Sequence, residues 1–115
     1  MIYTSYFGNI KNIPKDYTTI AISRTVPAWY FGLRDIELAP SKATVMEYKN
    51  TQNFEDLVIN YGYKLMQIDF SKRLEDWKTK NVVLLCWESK HNQCHRSVLA
   101  EWLNWKYNVE IKELR

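Results

Sequence analysis

Asn81-Val82-Val83-Leu84-Leu85-Cys86 is the stretch that decides the fold. Its apolar side chains do not alternate with polar ones, so a strand here is buried on both faces. That is the habit of a central strand in a parallel sheet covered on two sides. Lys78-Thr79-Lys80 brings the chain to a turn before it. Beyond the loop Trp87 to Gln93, Val98, Trp102 and Trp105 mark a helical stripe, widened by Leu99 and Leu103.

Toward the N-terminus, Ile2 to Phe7 reads as a first strand closed by Gly8-Asn9. Thr18 to Ser23 reads as a second, apolar enough to be central, with Pro14 marking the connection. From Arg24 to Pro40 no period emerges; Trp29, Tyr30 and Phe31 cluster in this long loop, a length more often functional than idle. Ser41 is placed to cap a short helix to about Tyr48, and Asn53 with Asp56 to cap a longer one. In the longer helix Phe54, Leu57, Val58, Tyr61 and Leu65 share a face, which Gly62 interrupts at a cost of about 1 kcal/mol. Asp69 is placed to cap a third, with Phe70, Leu74 and Trp77 on one side. Val109 to Lys112 forms a last strand. The expected fold is therefore α/β: a layered, mostly parallel sheet of about four strands flanked by helices, in a single domain over residues 1–115.

Composition agrees with a globular chain. Hydrophobic residues make up 46% and charged residues 25% of 115, which separates it from disordered sequences. The longest apolar run, Val82 to Trp87, is far short of the roughly 20 residues that span a bilayer. The N-terminus lacks the pattern of a secretory signal, so the expected compartment is the cytoplasm. Two cysteines are too few for a disulfide scaffold, and a reducing compartment keeps them as thiols. A net charge of +3 is weaker than a dedicated nucleic-acid binder usually carries. Five Trp and eight Tyr leave a base-stacking surface open as a minor reading.

The chemistry concentrates between Cys86 and Arg96. Ligands of open parallel sheets bind beyond the carboxyl ends of the strands. Cys86 ends one strand there, and Cys94-His95-Arg96 begin the next helix, whose N-terminus favours anions and thiolates. Arg96 offers a donor fork to phosphate or carboxylate. His95 can move a proton near neutral pH, with Glu88 to orient it or act as base. If the second strand runs parallel to the third, Arg24 and the aromatic loop face Cys94 across the same edge. Trp29 or Tyr30 then stacks on a ligand's ring.

Leu84-Leu85-Cys86-x-Glu88, a short gap, and Cys94-His95-Arg96 before an apolar helix are similar to the signature of domain-of-unknown-function family 488. Leu38-Ala39-Pro40-Ser41 resembles a second motif found in part of that family. Arg24 falls where many members have Asp-x-Arg; here Ile22 replaces the acid, so any role of that acid is absent. The resemblance spans nearly the whole chain. It implies an intracellular α/β domain of bacteria and phages, and it fixes no activity.

Other readings compete at the same residues. Cys94 is either a thiol activated at a helix start or a small residue packing the loop, while Cys86 continues a buried strand and reads as core. A zinc set from Cys86, His91, Cys94 and His95 has suitable donors but lacks the paired short intervals of structural sites. Adjacent Cys94 and His95 also make awkward partners on one tetrahedral ion, so neither metal nor cofactor is expected. The Cys-x5-Arg loop of a cysteine phosphatase is missing. The leading expectation is a pocket for a small anionic or nucleotide-like ligand, held by Arg24, Arg96, Trp29 and Tyr30, with Cys94, His95 and Glu88 acting on it. A non-catalytic module binding nucleic acid or protein is the alternative, and a Cys86–Cys94 redox pair a third. No membrane partner is expected.

Overall fold

The computed structural model describes residues 1–89 and 94–115. Five strands form one sheet in the order β3-β2-β4-β1-β5: β1 (Ile2–Tyr6), β2 (Thr18–Ala21), β3 (Leu33–Arg34), β4 (Val82–Cys86) and β5 (Ile111–Glu113). Every pairing is parallel; Ile2 to Tyr6 of β1 match Val82 to Cys86, and Thr18 to Ala21 of β2 match Val82 to Leu85 on the other side. The unbroken apolar run of β4 thus lies at the centre, and all five of its residues are buried. The sheet has one strand more than the four expected. β3 hides in the aromatic loop because two residues are too few to display a period.

Alternation divides β4 between two cores. Val82, Leu84 and Cys86 face the α-helices, packing with Tyr61, Leu65, Phe70, Trp77, Leu99 and Leu103. Val83 and Leu85 face the other way, onto Phe7, Ile13 and Tyr30. The second face is covered by a 3-10 segment, Phe7–Asn12, and by the loop after β2.

The helices begin where capping chemistry places them. α1 (Lys42–Thr51) follows Ser41, whose hydroxyl accepts from the Thr44 N–H at 3.2 Å. α2 (Phe54–Met66) follows Asn53, whose Oδ1 accepts from the Asp56 N–H at 3.3 Å. Such caps each contribute about 1 kcal/mol by satisfying an orphan donor. α2 buries Leu57, Tyr61 and Leu65, while Val58 turns outward. Gly62 does not end the helix. Asp69 accepts from the Ser71 N–H at 2.9 Å as α3 (Ser71–Trp77) begins. α4 (His95–Tyr107) buries Val98, Leu99 and Leu103, with Trp102 half-buried and Trp105 exposed. No described helix is long and apolar enough to cross a membrane.

A candidate thiol and imidazole centre

Parallel pairing brings the carboxyl ends of β1, β2, β4 and β5 to one edge of the sheet, and the reactive residues collect there. Cys86 is the last residue of β4, pointing into the helical core. Cys94 is the N-cap of α4, its backbone extended (φ −134°, ψ 150°) before the chain turns helical at His95. Both cysteines are buried, and their sulfurs meet. Their Cα atoms stand 7.8 Å apart, beyond the 4.4–6.8 Å or so that a relaxed disulfide bridges. The structure joins the two sulfurs as the sequence reading of a redox pair allowed, and the thiols considered below are those of the reduced protein.

Arg96 organises this pair. Its side chain is completely buried, and its Nη1 donates to Cys86 Sγ at 3.0 Å and to Cys94 Sγ at 3.4 Å. The same nitrogen donates to the Glu88 carbonyl, and Nη2 reaches the Ser89 carbonyl at 3.3 Å. Glu113, closing β5, accepts from Nε at 3.1 Å and from Nη2 at 2.8 Å. Thr4 Oγ1 donates to the same carboxylate at 2.6 Å. The Tyr6 ring lies 5.7 Å from the guanidinium carbon. In the reduced protein a guanidinium this close to two sulfurs stabilises negative charge on either, as the start of α4 does at Cys94, while their burial opposes it.

His95 ties this centre to β2. Its Nε2 lies 2.8 Å from the Ile22 carbonyl oxygen, and Tyr61 meets the ring edge-on at 5.7 Å between centroids. A carbonyl only accepts, so Nε2 carries the hydrogen and Nδ1 of the neutral ring keeps its lone pair. Burial pushes His95 down to about 4, with the Arg96 charge acting the same way and the Ile22 hydrogen bond opposing both. One ligand atom from each of Cys86, Cys94 and His95 fits within a span of 4.8 Å. Cys94 and His95 both belong to this group although adjacent in sequence. His91, the fourth member of that set, lies outside the described residues.

The other expected site residues fall in different places. All three guanidinium nitrogens of Arg96 are engaged internally, so the structure gives it partners of its own rather than an open fork. Glu88 is exposed and enters the cluster through its backbone carbonyl; no hydrogen bond joins its carboxylate to His95 or to either sulfur. Tyr30 is buried on the second face, its hydroxyl donating to the Leu33 carbonyl at 2.7 Å and its ring set edge-on to Phe7. Trp29 beside it is 51% exposed. Arg24 is exposed near Lys64, which burial and the Arg24 charge together hold below the usual amine range. Lys64 Nζ donates to the Ala39 carbonyl, within Leu38-Ala39-Pro40-Ser41. Trp87 Nε1 donates to the Thr25 carbonyl at 2.9 Å, joining the loops after β4 and β2.

Sequence reasoning missed Glu113 and Tyr6. Both close strands, and the rule that reactive groups gather at the carboxyl edge would have flagged them once those strand ends were placed. Two hollows, of about 500 and 320 Å³, lie toward the other edge, around Met1 and Lys78. Neither contains a thiol or an imidazole, so the geometry of reactive groups, not concavity, points to the site.

A parallel α/β domain with a buried cysteine pair, an imidazole and a guanidinium at its strand ends is the class of protein this arrangement defines. The chain belongs to domain-of-unknown-function family 488: the family model DUF488-N3a, described as the active DUF488-N3 subclade, matches residues 9–107. No curated protein and no solved structure matches it.

Proposed function

We propose that this protein is an enzyme-like cytoplasmic domain that binds a small phosphorylated or nucleotide-like anion over the carboxyl edge of its sheet. Cys86, Cys94 and His95 form the reacting centre. The observation that carries this reading is the contact of one buried guanidinium with both sulfurs, at 3.0 and 3.4 Å. Burying an arginine and a carboxylate is costly, and polarising a thiol pair is a function that such a network serves. In this reading Arg96 acts on the sulfurs, and the ligand's anionic group falls to exposed Arg24 beside Lys64. Trp29 supplies the stacking face, while Tyr30 supports the loop from beneath. Glu88, at the exposed lip, is positioned to meet a ligand rather than His95.

Intrinsic fluorescence titration with inorganic phosphate, ribose 5-phosphate and the mononucleotides tests this proposal. Saturable binding is expected, weakened about tenfold or more by Arg24→Ala and by Trp29→Ala, neither of which removes a buried group. Absence of saturable binding at millimolar ligand would sink it.

One observation favours a second reading. Trp29 and Phe31 are 51% and 93% exposed on a single loop, a surface suited to stacking or to protein contact. Binding to single-stranded nucleic acid that weakens steeply with salt would select this alternative, since a small-ligand site responds far less.

A further inference from the structure

We infer that Cys86, Cys94 and His95 are ligands of a tetrahedral divalent metal ion, with zinc the best fit. The inference rests on the reading of this cluster as the reacting centre, and it changes what the sulfurs do there: they are ligands rather than free nucleophiles.

Four observations converge. The first is the donor set, two cysteine sulfurs and an imidazole nitrogen within 4.8 Å of one another among the described residues. Two sulfurs with one nitrogen select zinc over the hard cations. The second is spacing. A metal about 2.3 Å from each sulfur holds the two sulfurs roughly 3.8 Å apart in a tetrahedron. A Cα separation of 7.8 Å accommodates that arrangement but is too wide for a relaxed disulfide. The sulfurs need only turn away from each other about their side-chain bonds.

The third observation is the outer shell. Histidines that bind metals almost always donate their other ring N–H to a carbonyl or carboxylate, which fixes the tautomer. His95 does so, with Nε2 on the Ile22 carbonyl at 2.8 Å and Nδ1 left as the donor. The sulfurs receive their own second-shell donor, Arg96 Nη1. The fourth is charge. Two thiolates balance a divalent ion, and Glu113 balances Arg96 through contacts at 2.8 and 3.1 Å. With the ion bound these buried charges cancel, and Arg115, 4.0 Å from Glu113, adds an exposed cation at the rim.

The test uses the full chain, reduced with a phosphine, stripped by chelator and titrated with Co²⁺. A one-to-one complex is expected, with thiolate-to-cobalt charge transfer in the near ultraviolet and tetrahedral bands in the visible. Zn²⁺ displaces both signals. Cys86→Ser and Cys94→Ser should each remove about half of the charge-transfer intensity. His95→Gln should keep that intensity and lose the tetrahedral bands. Each should weaken Co²⁺ binding beyond the roughly 10–100-fold that an outer-shell change costs.

Folding of every variant is checked by far-ultraviolet circular dichroism, and the wild-type titration stands even if a variant fails to fold. Absence of thiolate charge transfer in folded wild-type protein overturns the metal site, as does a wild-type spectrum in either serine variant. Phosphate or mononucleotide binding that persists without cobalt bands removes the metal and leaves the proposed ligand. Cobalt bands without any anion binding do the reverse.

Discussion

Replacing Glu113 by Gln removes the charge that compensates Arg96 while keeping the shape of the side chain. Arg96 is fully buried, and the Glu113 side chain is only 12% exposed. The two contacts between them, 3.1 Å from Nε and 2.8 Å from Nη2, form a bidentate pair. Breaking a buried pair on one side strands the other charge at a cost of about 3–5 kcal/mol. The glutamine oxygen retains one of the two contacts and the Thr4 hydroxyl still has an acceptor, so the lower end, about 3 kcal/mol, is the expectation. With a urea dependence of about 1–3 kcal/mol per molar, the unfolding midpoint falls by about 1–3 M. Asp76→Asn is the control, because its pair with Lys80 at 3.1 Å is solvent-exposed and worth at most about 1 kcal/mol. Equilibrium urea unfolding reads both in a Cys86→Ser/Cys94→Ser background, where no thiolate can take over the pairing with Arg96. If Glu113→Gln costs no more than the control, Arg96 is not the desolvated charge described here.

The remaining predictions concern His95, Tyr61 and Gly32. His95 sits near 4 when folded against 6.5 when free, so below pH 6.5 the unfolded chain takes up a proton that the folded chain refuses. Its contribution is whole above pH 6.5 and is lost as pH falls toward 4; metal-free protein should lose about 2 kcal/mol between pH 7 and 5, and His95→Gln should flatten that slope in urea melts. Tyr61→Phe leaves the buried Leu38 carbonyl without its hydroxyl donor and should cost about 1–3 kcal/mol by thermal or urea unfolding, whereas a neutral result would mean water reaches that carbonyl. A Cβ at residue 32 would collide with the Tyr30 hydroxyl and Thr19 Oγ1. Gly32→Ala should therefore destabilise by about 1–3 kcal/mol and increase proteolysis in the loop after β2; unchanged melting would show that this loop repacks freely.

Local patterns were the legible part of this chain. The unbroken apolar run at Val82–Cys86 revealed a buried central strand because burial on both faces removes alternation. Ser41 and Asn53 announced α1 and α2 because a cap acts on an N–H three residues away. Cys94-His95-Arg96 was legible as a helix start from the apolar stripe that follows it, since Cys94 makes no side-chain cap bond. What stayed hidden depends on partners distant in sequence. Arg96 reads as an open anion binder until Glu113, 17 residues on, is seen to occupy it. Trp29 and Tyr30 are indistinguishable in an aperiodic loop, yet only Tyr30 has Phe7 to pack against and the Leu33 carbonyl to bond. Trp105 fits a stripe with Val98 and Trp102, but the core contacts of α4 follow Val98, Leu99 and Leu103 and leave it 78% exposed. The last strand begins later than its apolar pattern suggested, at Ile111, because pairing with Ile2 sets its register.

The central claim is that Arg96 stabilises a thiolate in the reduced Cys86–Cys94 pair at the carboxyl edge of the sheet. Its most direct test is the pH titration of thiolate ultraviolet absorbance in reduced, metal-free protein, with Cys86→Ser and Cys94→Ser to assign the signal. The geometry predicts thiolate absorbance at neutral pH, with a midpoint well below the free-thiol value of about 8.5. A midpoint at or above that value would contradict it and make both cysteines packing residues.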